Sequence, residues 1–262
     1  MAERNKSTQA LILNVKEQGE NNRTVQVISD TLGLFHATLY GGPKSRLRSL
    51  VQPFNTGTLW IYDDEGRHSR KITDFDVTDC HDSLHENLCK IWSANLAAEL
   101  VLKTRCAGDE HASYILLKAL VDGIDRSTED GARLGLLRFL WRYLGLLGVQ
   151  PDTESCAGCG SRLRAEAGVQ QTATCCIPAE NGFVCPECSG TSSAAGQQAF
   201  RFELSGEGLH YLAALNTQTP GAVRTLTLSA QTAWQLKQLL FTLAEQAAGC
   251  RLRTLESGMG IL

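Results

Sequence analysis

Four cysteines in two short motifs are the residues whose type and spacing most clearly predict chemistry in this chain. The motifs are Cys156-Ala-Gly-Cys159 and Cys185-Pro-Glu-Cys188. Each tight turn points two thiolates at one centre, and Zn²⁺ accepts four thiolates in a tetrahedron with Zn–S distances of about 2.3 Å. The 25 residues between the motifs (positions 160 to 184) exceed the usual gap of roughly 15–20 residues, which requires a longer hairpin or an insertion. The motifs predict a structural Zn²⁺ site.

Two other interpretations of these cysteines stay open at this point. The pairs could form disulfides, although residues 1–7 are polar and lack the apolar core of a secretion signal. They could also be the remnant of a site that no longer binds metal. Six further cysteines, at positions 80, 89, 106, 175, 176 and 250, argue against a regular disulfide set in a reducing compartment. Cys175 and Cys176 lie between the motifs, where either thiol could replace a ligand or simply pack.

The elements around these motifs change character along the chain. Up to about residue 80, β-branched and aromatic residues alternate with polar ones in five runs separated by turns, which is typical of strands. Five short strands suit an OB-fold barrel, and an SH3-like barrel or small sandwich would give a similar pattern. From Asp82 onward, apolar residues recur every three or four positions and indicate helices. These are expected from 82, capped by Asp82 or Ser83, and then near 110–125, 130–147, 206–215 and 230–248, the last capped by Ser229.

The predicted fold class is therefore a multidomain α+β protein. It has an N-terminal five-stranded OB-fold barrel and a C-terminal helical domain with an embedded zinc finger of four cysteines. We expect the barrel to occupy residues 1–80. The helical bundle would occupy 81–151 and 196–262, and the zinc-finger insertion 152–195.

Composition limits the possible functions. The chain has 262 residues and a net charge of −3, so any binding of nucleic acid needs a local basic patch. Its longest apolar stretch, 134–149, contains Arg138 and Arg142 and is too short to cross a membrane. A soluble protein of the cytoplasm is expected.

The motifs of common enzyme classes are missing. The sequence has no P-loop, dinucleotide fingerprint or nucleophile elbow, and it lacks the ligand-and-base element of zinc deaminases. Four cysteines also fill the position that a catalytic zinc keeps open for water. His81 and His85 share one helix face, but the order His-Asp-Ser-Leu-His-Glu, in which Glu86 follows both histidines, is not that of a zinc protease. They are expected to be ordinary surface residues. The sequence predicts a protein that is not an enzyme.

Basic residues of the predicted barrel indicate binding of nucleic acid. Lys44, Arg46 and Arg48 follow Gly41-Gly-Pro43 on a predicted loop, and Arg23 begins the second strand. Cations that follow a phosphate backbone release condensed counterions, which gives salt-dependent and sequence-independent affinity. The alternative is that this loop is only a solvated surface.

Two aromatic residues strengthen that prediction. Alternation along the fourth strand places Leu59 and Ile61 on the apolar face and leaves Trp60 and Tyr62 on the other. Aromatic side chains beside a basic loop stack unpaired bases, each contributing roughly 1–3 kcal/mol. The alternative is that both rings pack against the helices that follow.

A series of sequence blocks, taken in order, carries a resemblance to a known family. The N-terminal blocks are Ala10-Leu-Ile-Leu13, Gly19-Glu-Asn-Asn22, Gly33-Leu34, Gly41-Gly-Pro-Lys-Ser-Arg46 and Leu50-Val-Gln-Pro-Phe54. The later blocks are Arg138-Phe-Leu-Trp-Arg-Tyr-Leu144, Gly148-Val-Gln-Pro151, Cys156-Ala-Gly-Cys-Gly160, Gly182-Phe-Val-Cys-Pro-Glu-Cys188 and Gly249-Cys-Arg-Leu-Arg-Thr-Leu255. Over nearly its whole length the chain resembles RecO, a bacterial family of recombination mediators and DNA repair proteins.

The resemblance implies a fold and a set of partners. It implies an OB barrel, a helical domain and an embedded zinc finger, with a non-enzymatic role in RecA-dependent repair. Such proteins bind single- and double-stranded DNA and anneal complementary strands. They act with RecR, and some of them with RecF, and they help RecA load onto strands coated by single-strand-binding protein (SSB). They recognise the acidic C-terminal tail of SSB. Cys175-Cys176 and the acidic net charge depart from what the family leads us to expect.

The SSB tail needs a groove with apolar walls and cations for its terminal carboxylate. Arg138 and Arg142, one helical turn apart and flanked by Phe139 and Leu146, are the candidates. The alternative is that these arginines pair with carboxylates of the chain itself. A different class of function also stays open, in which the protein is a zinc-containing scaffold for other proteins and has no DNA binding of its own.

Overall fold

The computed structural model describes residues 4–42, 44–106, 108–163, 172–177, 182–191, 201–258 and 260–262. Within it the chain divides into two compact units, Met1–Gly135 with Glu256–Leu262, and Leu136–Leu255. The four segment boundaries expected from the sequence stay a prediction.

The first unit is built on a closed five-stranded barrel, which confirms the predicted architecture. The strands are β1 (Asn5–Gln18), β2 (Asn22–Ser29), β3 (Gly33–Tyr40), β4 (Thr56–Asp64) and β5 (Ser69–Asp79). Their order around the wall is β1-β2-β3-β5-β4, as in an OB fold. β1 is antiparallel to both β2 and β4, which closes the barrel, whereas β3 and β5 run parallel and meet at Thr38 and Lys71.

The barrel interior is filled by the apolar residues of each alternating strand. Its members include Ala10, Ile12, Val25, Val27, Phe35, Ala37, Leu39, Leu59, Ile61, Ile72 and Phe75. A short helix, α1 (Arg46–Leu50), follows β3, and its Leu47 and Leu50 pack against this core. The sequence predicts a loop here instead. Arg46 and Arg48 therefore lie on a helix, while Lys44 lies just before it and Pro43 falls outside the described residues.

Helices complete the first unit. They are α2 (Asp82–Glu86), α3 (Leu88–Thr104), α4 (Glu110–Asp125) and α5 (Glu129–Leu146), the last included up to Gly135. The single helix expected from residue 82 is broken at Asn87, whose backbone is extended and whose side chain accepts the N–H of Lys90 to cap α3. The predicted cap at Asp82 or Ser83 is wrong, because His81 occupies that position and makes no capping bond.

Helix α4 packs against β2 and β3. The Nδ1 atom of His111 lies 3.0 Å from the carbonyl oxygen of Asp30. Gly33, with φ of +64°, lies against the start of α4, where an added Cβ atom would collide with the carboxylate of Glu110.

His81 is not a surface residue, contrary to the expectation from the sequence. Its side chain is completely buried, and its backbone adopts a left-handed conformation with φ of +49°. Nδ1 lies 2.8 Å from the carbonyl oxygen of Phe54, and Nε2 lies 2.9 Å from Oδ1 of Asp122. The imidazole thus joins the barrel to α4, because Asp122 belongs to that helix.

The second unit combines a small sheet with helices. The elements beyond α5 are β6 (Thr172–Ile177), β7 (Gly182–Val184), α6 (Pro186–Thr191), β8 (Phe202–Ser205), α7 (Gly206–Thr217), α8 (Pro220–Arg224), α9 (Ala230–Ala248) and α10 (Arg253–Ser257). The strands form an antiparallel sheet in the order β7-β6-β8. Helix α9 has the predicted bounds and cap, since Ser229 Oγ accepts the N–H of Thr232. Among the described residues, no helix is both long and apolar enough to cross a membrane.

Candidate metal centre and nucleic-acid interface

The backbone brings the two cysteine motifs together in the second unit. In the first motif, the N–H of Cys156 donates to Ser161 O and the N–H of Gly160 donates to Cys156 O, both over 2.8 Å. Gly160 has a φ of +72°, which a glycine adopts without strain. The N–H of Ala157 donates to Phe183 O over 2.8 Å, so the first turn is fastened to β7. Because β7 leads directly into the second motif, the two turns face each other.

The four sulfur atoms form one cluster. The Sγ atoms of Cys156, Cys159, Cys185 and Cys188 all lie within 4.8 Å of one another, and those of Cys159 and Cys185 are 3.9 Å apart. Zn–S distances of about 2.3 Å place the sulfurs of a tetrahedral site about 3.8 Å apart. All four cysteines are free thiols, so the disulfide interpretation does not hold. The cluster fits a tetrahedral metal ion bound by four thiolates.

Hydrogen bonds polarise this cluster. Burial acts to raise the pKa of the Cys156 thiol, but the backbone N–H groups of Cys159, Cys185 and Gly158 donate to it and lower that pKa to about 6. Conversely, the neighbouring thiols of Cys159 and Cys185 raise the pKa of Cys188 to about 12. Four thiolates in so small a volume repel one another, and a divalent cation supplies the charge that neutralises them.

Close packing restricts which residues can surround the cluster. A Cβ atom at Gly158 would lie 3.2 Å from both Cβ and Sγ of Cys188, so the turn is tight enough to favour glycine. Cys176 is fully buried on β6 and is not a member of the cluster. The side chain of Cys175 lies outside the described residues.

Two of the predicted DNA-binding arginines meet at one carboxylate on the barrel. Oε1 of Glu17 lies 3.0 Å from both Nε and Nη2 of Arg23, and 2.8 Å from Nη2 of Arg48. Glu17 and Arg23 are opposite each other on β1 and β2, whereas Arg48 reaches them from α1. The hydrogen bond of Arg23 holds the pKa of the Glu17 carboxyl below its usual value, with Arg48 adding to the effect.

The other two predicted cations point into solvent. Lys44 and Arg46 are exposed, and in the described part of the chain neither has an ion pair. Tyr40 ends β3 just before this segment. The basic loop is therefore a turn followed by one helical turn; among the described residues its Lys44 and Arg46 have no ion pair, while its Arg48 is held by Glu17.

The two predicted stacking residues lie on the outer face of β4. Leu59 and Ile61 are fully buried, whereas the side chain of Trp60 is 37% exposed, so the alternation was predicted correctly. Trp60 lines an open cleft of about 400 Å³ together with Lys6 and Asp74. Tyr62 is partly exposed, and its hydroxyl accepts a 2.9 Å hydrogen bond from Nη1 of Arg4.

Two further residues connect Tyr62 to the basic loop. Lys71 on β5 is paired in register with Tyr62 on β4, and its Nζ lies 5.1 Å from the centre of the Tyr40 ring on β3. Tyr40 is 51% exposed. We call Tyr40, Lys71 and Tyr62 the aromatic row. The alternation of Phe35, Ala37 and Leu39 inward was the signal in the sequence that places Tyr40 outward.

The acidic neighbours of Trp60 set it apart from this row. Trp60 is paired in register with Asp74, and Thr58 with Asp76, and both aspartates are exposed. A phosphate backbone is repelled at this level of the barrel. The aromatic row, which contains a cation, is a better stacking surface for nucleic acid than Trp60.

The arginines predicted to recognise the SSB tail lie on α5 in the second unit. Nε of Arg138 donates to the hydroxyl of Tyr211 over 2.8 Å. Burial lowers the pKa of Arg142, and the charges of Arg138 and Arg224 lower it further. Within the described residues, none of these three arginines has an ion pair, so the alternative of pairing with carboxylates of the chain is not supported.

The predicted apolar walls of this site are only partly present. Phe139 is 2% exposed and stacks on Tyr143 with ring centres 5.4 Å apart, so it belongs to the core. Leu146 is 37% exposed and is available. The result is a cluster of three cations, two on α5 and Arg224 on α8, with Leu146 of α5 as an exposed apolar residue.

Comparison with known proteins gives consistent similarities along the chain. The family model described as "Recombination protein O N terminal" matches residues 1–81, and that described as "Recombination protein O C terminal" matches residues 85–256. The chain is 29% identical over 217 residues to the DNA repair protein RecO of Solidesulfovibrio magneticus, which covers 82% of this chain and 83% of that protein. It is 31% identical over 201 residues to the DNA repair protein RecO of a Roseiflexus species, covering 74% and 66% respectively. The corresponding protein of Moorella thermoacetica is 26% identical over 185 residues, covering 70% and 66%.

Proposed function

The chain belongs to the RecO family of DNA repair proteins, and from that premise we propose that it is a non-enzymatic recombination mediator. In this proposal it binds and anneals single-stranded DNA, and it helps RecA load onto strands coated by SSB. Its partners are single- and double-stranded DNA, RecR, the C-terminal tail of SSB and, in some reactions, RecF.

The observation that carries the proposal is the aromatic row beside the basic loop. Tyr40 and Tyr62 offer ring faces on neighbouring parts of the wall, and Lys71 lies between them. Bases stack on such rings without regard to sequence, and the exposed Lys44 and Arg46 supply contacts to phosphates. Annealing follows because a surface that neutralises two strands removes the repulsion between them.

The second unit contributes to the proposal through its arginine cluster. A peptide that ends in a carboxylate and carries further acidic residues would be attracted by Arg138, Arg142 and Arg224. Burial makes this attraction stronger than it would be at a fully solvated surface. Leu146 offers an apolar contact to the same peptide. We propose this cluster as the site for the SSB tail.

The cysteine cluster has a structural role in this proposal. Cys156, Cys159, Cys185 and Cys188 would hold one Zn²⁺, and their closed geometry leaves no position for substrate. The ion would secure the turn before residue 160 against β7 and α6. It takes no part in binding DNA.

A salt titration tests the proposed DNA binding. Replacing Lys44 and Arg46 together by glutamine should weaken binding of a labelled oligothymidine. It should also reduce the slope of log K against log[salt] by about 1.4, because each phosphate contact to a single strand contributes about 0.7. The matched control replaces Lys103 and Arg126, two exposed cations of the helices in the same unit, and should leave the slope unchanged.

The outcome also separates the alternative function. A wild-type protein that does not bind the oligonucleotide even at low salt would refute the proposal and favour the scaffold. Equal slopes for the two double variants would instead show that DNA binds elsewhere.

A further inference from the structure

The carboxylate of Glu17 is more exposed to solvent than Arg23 and Arg48, the two arginines that it contacts. The side chains of Arg23 and Arg48 are 17% and 16% exposed, while that of Glu17 is 57% exposed. Resting on the DNA-binding function proposed above, we infer that Glu17 competes with phosphate. Its carboxylate occupies a two-arginine site for a phosphodiester and must leave when a strand binds.

The contacts of Glu17 are those that a phosphate oxygen would make. A single oxygen, Oε1, accepts hydrogen bonds from Nε of Arg23 and Nη2 of Arg48, and Nη2 of Arg23 lies 3.0 Å from the same oxygen. Two guanidinium groups that converge on one anionic oxygen are a common arrangement for binding phosphate. A phosphodiester group brings two free oxygens where Glu17 uses one, so it can satisfy more donors.

Arg48 has a donor that the present arrangement leaves unsatisfied. Its Nη1 is buried and, within the described part of the chain, has no hydrogen-bond partner. An unpaired buried donor is unfavourable, and more so on a charged group. Release of Arg48 from Glu17 allows the guanidinium to turn towards an incoming strand, which removes this penalty.

The carboxylate is also easy to displace. Glu17 is close to the end of β1, next to the turn at Gly19, and most of its side chain is in solvent. Ion pairs with one partner so exposed contribute little to stability. A polyanion, which presents many phosphates at once, replaces it readily, whereas an isolated anion does not.

Glu17 would therefore set the strength of strand binding. With Glu17 in place, its charge offsets one of the two arginine charges, and without it both arginines are available to phosphate. Weaker binding helps a protein that must release one strand to another. Glu17 tunes the affinity of the surface without being part of the contact.

The experiment compares three single variants of the 262-residue chain with wild type, using a labelled oligothymidine from about 50 to 200 mM salt. Glu17→Gln keeps the shape and an acceptor oxygen but removes the charge. It should bind about 3–10-fold more tightly at the lowest salt, and its slope should be steeper by about 0.7–1.4. Glu20→Gln removes the same charge from the neighbouring turn, where Glu20 is exposed and contacts neither arginine, and should change both quantities much less.

Glu17→Asp is the third variant. It keeps the formal charge, but its shorter side chain cannot reach both guanidinium groups, so we expect tighter binding in this variant as well. Equal affinities for wild type, Glu17→Asp and Glu17→Gln would overturn the inference, as would a match between Glu17→Gln and Glu20→Gln. If wild type binds and the Lys44/Arg46 variant binds less, such a result refutes only the role of Glu17. If neither wild type nor Glu17→Gln binds, the proposed function fails together with it.

Discussion

Replacing His81 by asparagine should loosen the attachment of the barrel to α4, and the loss should be larger at about pH 6 than at about pH 9. Asparagine tolerates the left-handed backbone at this position, but its side chain is too short to reach Asp122. The substitution therefore removes the two contacts of the imidazole without adding backbone strain.

The magnitude follows from those two contacts. The bond to Phe54 O involves a neutral acceptor and contributes about 1 kcal/mol, whereas a bond between charged His81 and Asp122 contributes about 1.5–3 kcal/mol. The free energy of unfolding should fall by about 3 kcal/mol at low pH. It should fall by about 1 kcal/mol once the imidazole is neutral, because in wild type only the bond to Phe54 is then present for the substitution to remove.

The direction of the pH effect comes from the pKa values. Burial lowers the pKa of His81. The hydrogen bond to Asp122, the charge of Asp79 and the Phe54 carbonyl together outweigh this effect and raise the pKa above its usual 6.5. This contribution is fully present below about pH 6.5 and is lost as the pH rises through the folded-state pKa of His81. Burial raises the pKa of Asp122, but His81 and Lys118 lower it more. The stability that Asp122 contributes is therefore present above the pKa of this group in the unfolded chain and is lost as the pH falls through its pKa in the folded protein.

Urea unfolding at both pH values, combined with amide hydrogen exchange of peptides from α4, measures the effect. His85→Asn is the matched control, because His85 is exposed one turn further along α2. An equal loss of stability at both pH values in His81→Asn would contradict the role of the charged imidazole. So would amide exchange in α4 that, at the lower pH, is no faster in the variant than in wild type.

Three further outcomes are expected. The purified protein should contain one zinc ion per chain, as measured by elemental analysis. Replacing Cys185 and Cys188 together by serine should abolish metal binding and lower the stability of the second unit, as measured by circular dichroism. The loss of stability is expected because such sites bind zinc with about 10–16 kcal/mol in small peptides. Gly158→Ala should weaken retention of zinc against a chelator, because its Cβ would crowd Cys188, and unchanged retention would contradict the described turn. Tyr40→Ala should reduce affinity for single strands by about 1–3 kcal/mol without changing the salt slope, whereas a changed slope would mean that the ring acts through Lys71.

Several features of the fold could be predicted because their causes are local. Helix α9 is capped at its start by Ser229 and at its end by Gly249, whose φ is +65°, and both signals stand in the sequence. The outward position of Trp60 follows from strict alternation with Leu59 and Ile61. The cysteine cluster was predictable because each pair is held by its own turn.

Other features depend on contacts between distant parts of the chain. Glu17 and Arg48 are 31 positions apart, and His81 and Asp122 are 41 apart, so no local pattern brings either pair together. The burial of His81 depends on where α4 packs. Strand β7 has only three residues, too few to show a period of two, which is why the small sheet of the second unit was not predicted.

The way the barrel closes has a mechanical consequence. β3 and β5 meet through one register pair, Thr38 with Lys71, whereas β2 and β3 are paired from Asn22 with Tyr40 to Ser29 with Gly33. The parallel joint is a short seam, and Tyr40 and Tyr62 lie on opposite sides of it. A ligand held by both rings would act as a clip across this seam, so its binding energy would add to the resistance of the barrel to opening. Binding of a DNA strand would then stabilise the barrel wall against opening. Amide exchange in β3 and β5 should therefore be slower in the bound protein than in the free protein.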